Sequence, residues 1–568
     1  MHDFFSKFIA TIMASKKKKK FYQQPKTTAP SPVQPQPRKE IKLATTPVRF
    51  ALMVTAGFFA IALLGMLSHE MWRDEHQAWL VARDANSLSQ LLDNMNYEGN
   101  PALWHFFLYW ITRVTHDPIY MQVFHLLVAT SFIFVFNRYA LLSNLHKILF
   151  SFGYFPLYEY ALISRSYALG ILLIFGVCAL YKSRVTKYIL IGLLLALLAN
   201  VTIYAVVIAC CIAGILILDY FLYQQKNGKA TMQLAMGMII FVLGVAISLY
   251  QIWPDKDNSF PAPYATSLFD FPRWREVSSK LFTTYLYIPQ IEEHFWNTNV
   301  YFKDGLSGGW VLLSIIIFAA GIFIFLRKPL MLLLYLGMTF GLFSVYYYTA
   351  LLHSRYCGYL LIALVVCYWL SEYYPEKKYY SSLASLGKRI CKPFFTTILS
   401  FSVIGAIVAY TMEIQYKFSS SKEVATYIKE NKLDSLPVVG ITDFTISPLA
   451  TYLDTKIFYP QMNDMGSFII WSKKRKDQMS FREAVGFLGA FMDKGKQRVL
   501  WIKDSAPQVL MDGTNQQDME KAILRNDLQV DLLGKFSPGI VADERYFIYL
   551  VQKVDPAKVD LSKYIKIE

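Results

Sequence analysis

The apolar positions of this chain fall in long blocks separated by short polar segments. Most blocks run about 18 to 22 residues, the length a helix needs to cross about 30 Å of hydrocarbon with its backbone satisfied internally. The pattern predicts crossings at 49–68, 119–138, 147–162, 166–183, 187–200, 203–222, 232–251, 309–326, 329–350, 353–371 and 393–413, eleven in all. The stretch PALWHFFLYWITRVT (101–115) is apolar but short and reads as a partial or interfacial helix. After about residue 414 the period changes. Apolar runs shrink to strand length in PVVGI (437–441), KIFYP (456–460), RVLWI (498–502), QVDLLGKF (529–536) and YFIYLV (546–551). Helical patterns lie between some of them, in SFREAVGFLGAFMDKG (480–495) and DMEKAILRND (518–527). Such alternation predicts a small α/β domain with a mainly parallel sheet.

The expected organisation is a basic and Pro-rich tail (1–47), a multi-helix membrane module (48–413) with polar loops at 69–100 and 252–308, and an α/β domain (414–568). Composition agrees: 54% of residues are hydrophobic and only 17% charged, against about 25% charged in soluble domains. A net charge of +16 would suit nucleic acid, but the Lys and Arg residues cluster in SKKKKK (15–20), YKSRVTK (181–187), LRK (326–328) and EKKYYSSLASLGKRICK (376–392). These lie between apolar runs, which is the positive-inside pattern, so membrane lipid is the expected partner and nucleic acid is not. A cytoplasmic N-terminus and eleven crossings place the C-terminal domain outside. The first apolar run begins near residue 49, too far in for an ordinary signal peptide, and reads as a retained anchor. Residues 1–14 form either a surface helix or a disordered tail. The six cysteines lie in or beside apolar runs without metal spacing, so neither disulfides nor structural zinc are expected.

This topology gathers polar groups on one face. LSHEMWRDEHQAWLVARD (67–84) follows the first crossing and carries the adjacent acids Asp74 and Glu75. NYEGNPALWH (96–105) brings Glu98 and Asn100, and LYEYALISRSYALG (157–170) brings Glu159, Arg165 and Tyr167. His353 and Arg355 open HSRYCGYLL (353–361). Lys280 lies in the amphipathic FPRWREVSSKLFTTYLY (271–287), expected on the membrane surface. Charged groups at membrane depth are costly and tend to pair or to line a wet cavity. A carboxylate there can take a proton from an attacking hydroxyl. Arginines beside it can hold a phosphate and offset charge developing on it as it leaves. The combination suits transfer of a sugar from a lipid-linked phosphate, since no nucleotide sugar is expected outside the cell. The simpler readings stay open: Asp74 as a helix cap beside Arg73, Arg165 in an ion pair with Glu159, and His353 and Arg355 as markers of a helix end.

These segments resemble the GT-C membrane glycosyltransferases, the group that holds the protein O-mannosyltransferases and the lipid A aminoarabinose transferases. The carrying features are the first helix followed by WRDEHQAW, and YEGNPALWHFFLYW, which is similar to that group's His-Pro-Pro-Leu stretch before an aromatic-rich helix. EYALISRSYALG, HSRY and the plan of helices plus an α/β domain also fit. Gly99-Asn100-Pro101 stands where many relatives have His-Pro-Pro, so any role of that His is missing here. The resemblance implies an integral protein of a bacterial inner membrane that moves a sugar from a polyprenyl-phosphate donor to a hydroxyl of a glycan, lipid or protein, with inversion. It implies Asp74 as the base with Glu75 assisting or orienting, and Arg165, Arg355, His353 and Lys280 at the donor phosphate. Glu98, Asn100, Glu159 and Tyr167 would then serve the acceptor or the cavity wall. A divalent cation among Asp74, Glu75 and Glu98 remains open. The alternative is a transporter or flippase of lipid-linked glycan, for which inverted repeats or paired broken helices would speak; neither is visible in the sequence. The C-terminal domain carries no phosphate loop or nucleophile elbow and reads as a recognition or stabilising unit.

Overall fold

A computed structural model describes residues 47–223, 228–259, 267, 269–302, 307–349, 352–377, 381–511, 515–555, 557 and 565–567. The expectations for the tail before residue 47 lie outside the described residues. The chain runs through α1 (Val48–Ser68), α2 (Arg73–Arg83), α3 (Leu88–Asn94), α4 (Leu103–Thr112), α5 (Ile119–Tyr139), α6 (Asn144–Ser151), α7 (Tyr167–Leu180) and α8 (Arg184–Ala199). It continues through α9 (Ile203–Tyr223), α10 (Gly228–Ile252), α11 (Phe271–Tyr285), α12 (Ser307–Phe325), α13 (Pro329–Tyr348), α14 (Ser354–Ser371) and α15 (Ser381–Gln415). Among the described residues, 8 helical stretches are long and apolar enough to cross a membrane, with Tyr167–Ala199 (α7 and α8 together) counted as one, and Gly309–Phe325 is a shorter apolar helix. The protein is therefore a polytopic helical membrane protein.

Three of the expected crossings take a different form. The segment 147–162 is not one helix: α6 gives way to a π-helical turn at Tyr154–Glu159 and then to irregular backbone up to Ser166. Gly153 and Pro156 interrupt the helical pattern, and Ser402 Oγ takes the Tyr154 N–H at 3.0 Å. Irregular backbone is tolerated at such depth only where protein encloses it, and residues 153–163 are buried throughout. The segments 166–183 and 187–200 fold as α7 and α8, of 14 and 16 residues, turned back on each other at Tyr181–Ser183. A Cβ at Gly176 would lie 3.6 Å from the Leu194 side chain, whereas one straight helix would hold those positions about 27 Å apart.

α8 also packs closely on α10 through glycines. A Cβ placed on Gly192 would meet the Gly237 backbone, and one on Gly237 would meet the Tyr188 backbone. Small residues at such crossings allow backbone approach that larger ones forbid. Gly192→Val is therefore expected to destabilise the fold by about 2 kcal/mol. A thermal melt in detergent that is unchanged from wild type would contradict this packing.

The C-terminal domain contains α16 (Ser421–Glu430), α17 (Asp443–Tyr452) and α18 (Phe481–Asp493) around a sheet. Its strands are β1 (Val438–Gly440), β2 (Ile457–Tyr459), β3 (Asp464–Gly466), β4 (Arg498–Lys503), β5 (Gln508–Met511), β6 (Asn515–Asp518), β7 (Lys521–Leu524), β8 (Leu528–Phe536), β9 (Tyr546–Lys553) and β10 (Ile565–Ile567). The main sheet has the order β10-β7-β8-β9-β4-β1-β2-β3, with β5 and β6 pairing separately. It is mixed, not mainly parallel: among the described residues only β1–β2, β1–β4 and β10–β7 are parallel. The reason lies in DMEKAILRND, expected as a helix. Left-handed Arg525 and Asn526 (φ 53° and 59°) turn the chain so that β7 pairs antiparallel with β8. Ala522, Ile523 and Leu524 are all buried in that hairpin, so apolar spacing there signals a covered strand.

α2 joins the two parts. The Gln77 side-chain amide accepts from the Ile469 N–H at 2.9 Å and donates to the Ile469 carbonyl at 3.0 Å. Further along, Arg83 donates to the Ala450 carbonyl at 3.0 Å. The helix that begins with the Asp-Glu pair is thus seated on the sheet domain.

Candidate active site

Asp74 and Glu75 are adjacent in the first turn of α2, where helix N–H groups favour carboxylates. Successive side chains on a helix diverge by about 100°, and the two acids go separate ways. Asp74 faces a cavity of about 230 Å³ lined by Trp72, Arg73, Trp296, His353, Arg355 and Asp543, among others. Its carboxylate meets Arg165 Nη1 at 3.0 Å and Arg355 Nη2 at 3.5 Å, and the side chain is 30% exposed. Burial pushes the Asp74 carboxyl up, but Arg165, Arg355, Arg73 and His353 outweigh it and hold it below the usual carboxylate range. Asp74 is thus an anion at neutral pH. Arg355 is itself held by aromatic faces, with its guanidinium carbon 5.1 Å from the Trp72 and Trp296 ring centres and 4.8 Å from that of Tyr356.

Glu75, expected as an assisting or orienting acid, turns away from the cavity and is fully buried. It accepts the Ser164 N–H at 2.6 Å and the Trp72 N–H at 3.2 Å, and meets His69 Nε2 at 3.0 Å. The other nitrogen of His69 lies 2.8 Å from Glu413 Oε1, and Glu413 Oε2 accepts from Tyr158 Oη at 2.7 Å. Burial disfavours the charged ring, but Glu75 and Glu413 on either side raise His69 to about 10. Burial likewise pushes Glu75 up, while His69 and the two backbone N–H groups bring it below the usual value. Glu75 is therefore an anchor for the start of α2 and for the loop carrying Arg165.

The remaining expected residues spread around this centre. His353 occupies the N-cap position of α14 and lines the cavity with Arg355. Arg165 pairs with Asp74 and not with Glu159. Glu159 is buried behind the cavity, accepting from Tyr154 Oη at 2.8 Å and from Trp296 Nε1 at 3.3 Å. Glu98 accepts from Gln77 Nε2 at 2.6 Å; burial pushes its carboxyl up despite Gln77 and Arg165. Asn100 donates to the Glu98 carbonyl at 3.4 Å and supports that loop. The Tyr167 ring is buried in a cluster with Tyr160, Tyr356 and Tyr359. Lys280, expected at the donor phosphate, is half-buried on α11 outside the Asp74 cavity wall, within electrostatic reach of His353.

The three acids proposed for a divalent cation do not converge. Asp74 is taken by two arginines, Glu75 by His69 and backbone N–H groups, and Glu98 by Gln77. Among the described residues, no group of three or more His, Cys, Asp or Glu side chains is arranged to hold a metal. Sequence reasoning missed His69, Glu413, Trp296 and Asp543. Glu413 had a signal, since it is an acid near the end of an apolar run; Asp543 had none.

A carboxylate clamped between two arginines thus faces a cavity between the polytopic helical module and the sheet domain. No family model matches the chain, and no curated protein matches it. Solved structures do match along most of its length, among them two states of one protein. ArnT from Cupriavidus metallidurans bound to undecaprenyl phosphate is 11% identical, with a TM-score of 0.42 over 89% of this chain and 98% of that one. The apo state of the same protein gives 11% identity and a TM-score of 0.43 over 88% and 98%. At these values neither match assigns a role to any residue here.

Proposed function

We propose that the chain is a membrane glycosyltransferase that moves a sugar from a polyprenyl-phosphate donor to an acceptor hydroxyl on the extracytoplasmic face. The observation that carries this is the Asp74 carboxylate held by Arg165 and Arg355 at one wall of the cavity. Two arginines around one carboxylate leave the site with surplus positive charge, which a phosphate monoanion or dianion would satisfy. When the phosphate engages the arginines, their hold on Asp74 weakens and its proton affinity rises. Asp74 then becomes a better base at the moment it is needed.

In the reaction, the acceptor oxygen forms a bond to the anomeric carbon and its proton passes to Asp74. The bond from that carbon to the phosphate oxygen breaks, and its electron pair leaves with the polyprenyl phosphate. Arg165 and Arg355 stabilise that charge. Attack from the side opposite the leaving group inverts the configuration. A lipid-linked donor is supported by the position of Asp74 just after α1 and of Arg355 at the start of α14, two long apolar helices.

Donor binding tests this directly. Purified protein in nanodiscs is mixed with a panel of undecaprenyl-phosphate sugars and followed by thermal shift and turnover. One donor is expected to stabilise and react. Arg355→Ala is expected to weaken that donor about tenfold to a hundredfold, the size of a lost charge-assisted contact of about 1.5–3 kcal/mol. If no donor stabilises or reacts, the transferase reading fails.

A further inference from the structure

The loop between β8 and β9 reaches from the sheet domain to the start of α2. Its Ile540 and Val541 N–H groups donate to the Lys417 and Phe418 carbonyls at 2.9 and 3.1 Å. Asp543 meets Arg73 Nη1 at 2.8 Å, and residues 540–543 line the cavity beside Asp74. The next residue, Glu544, is fully buried. Its Oε1 accepts the Arg73 backbone N–H at 2.9 Å, and its Oε2 accepts from Ser419 Oγ at 2.6 Å.

Arg73 is the first residue of α2 and Asp74 the second. Trp72, at the N-cap position, makes no side-chain capping hydrogen bond, so the first N–H groups of the helix need acceptors from elsewhere. Glu75 takes the Trp72 N–H, and Glu544 takes that of Arg73 from 471 residues away. A buried carboxylate is costly unless it is well partnered. Here one partner, the Arg73 N–H, lies on the helix turn that aims Asp74, and the other, Ser419 Oγ, lies in the link before α16.

We propose that Glu544 is a positioning residue for Asp74, capping α2 from the sheet domain and so making that domain part of the active site. This rests on the transferase reading above. The cap holds the Asp74 backbone at a fixed distance from Arg165 and Arg355, and a helix start that frays would let the carboxylate drift from the attacking hydroxyl.

The titration of the cap gives a signature. Glu544 is faced by Arg73 on α2, Ser419 in the link before α16, Asp543 on its own loop, Tyr452 on α17 and Tyr546 on β9. Burial raises its carboxyl to about 7 against the pull of Arg73 and Ser419. The charged cap is therefore present above neutral pH and lost as pH falls through about 7, and a neutral carboxyl is the weaker acceptor. A residue that only staples two domains would leave no such mark on turnover.

The experiment uses the full chain in nanodiscs with the undecaprenyl-phosphate sugar panel described above, comparing wild type, Glu544→Gln and Ser419→Ala. Wild-type kcat is expected to fall as pH drops through about 7. Glu544→Gln is expected to lower kcat about tenfold at pH 8, to leave donor KM within about twofold, and to lack the acid limb. Ser419→Ala keeps the carboxylate but removes a hydroxyl that steadies its charge, so the limb moves to higher pH; this variant decides the matter if Glu544→Gln does not fold. Wild type inactive on every donor overturns the transferase reading and this inference with it. An active wild type, with kcat within twofold and the same pH profile in both variants, overturns the positioning role alone.

Discussion

Asp74→Asn is expected to abolish most sugar transfer, lowering kcat about a thousandfold, while the donor still binds. The size follows from removing a positioned general base, which contributes about 10² to 10⁴. Asn keeps the shape of the carboxylate but cannot take the acceptor proton. It also removes the negative charge that competes for Arg165 and Arg355, which lie 3.0 and 3.5 Å from Asp74. Donor phosphate is therefore expected to bind the variant as tightly as wild type or more tightly. Turnover and donor affinity, measured on the same nanodisc preparation, separate the two effects. Full turnover by a correctly folded Asp74→Asn protein would falsify the assignment of the base.

The second large effect concerns stability. His69 sits between Glu75 and Glu413 with all three side chains buried, and the two acids on either side favour the protonated ring. Replacing it by Leu leaves two buried acids without their cation, and breaking such a network costs about 3–5 kcal/mol. His69→Leu is expected to melt far below wild type in detergent, or to fail to accumulate. The pH dependence has a definite sign. The ring's value is raised from 6.5 to about 10 on folding, so its contribution is complete below about 6.5 and is lost as pH rises toward 10. Each pH unit inside that window removes up to about 1.4 kcal/mol. Melting temperatures of wild type at pH 6, 8 and 9.5, at one scan rate, should decline in that order. A flat profile would show that the bridge is not charged.

These two results bear on separate features of one short stretch, and the stretch itself was open to reading. The adjacent acids after the first apolar block, and the basic residues of the SRSY and HSRY segments, could be marked as a site from cost alone. Which acid does the chemistry could not be decided at that level. Helical geometry sends Asp74 into the cavity and Glu75 into the protein, and only packed neighbours reveal which direction is which. Lys280 shows the same limit from the other side. Its amphipathic setting is plain in the sequence, yet the cavity wall around Asp74 is built without it.

The sequence by itself determined the polytopic membrane architecture, because hydrocarbon demands long apolar helices and the blocks are long enough to count. It also determined that a second domain of strands and helices follows. The tertiary structure decided what depends on distant partners. A short apolar run can be helix or strand, so Lys521–Leu524 became a strand of a mixed sheet only once its hairpin closed. The 147–162 block could break its helix because other helices enclose it. Most of all, His69 meets Glu413 across 344 residues and Arg73 meets Glu544 across 471. Local periodicity carries no information about such pairs; they form because burying a charge forces it to find a partner wherever the fold brings one.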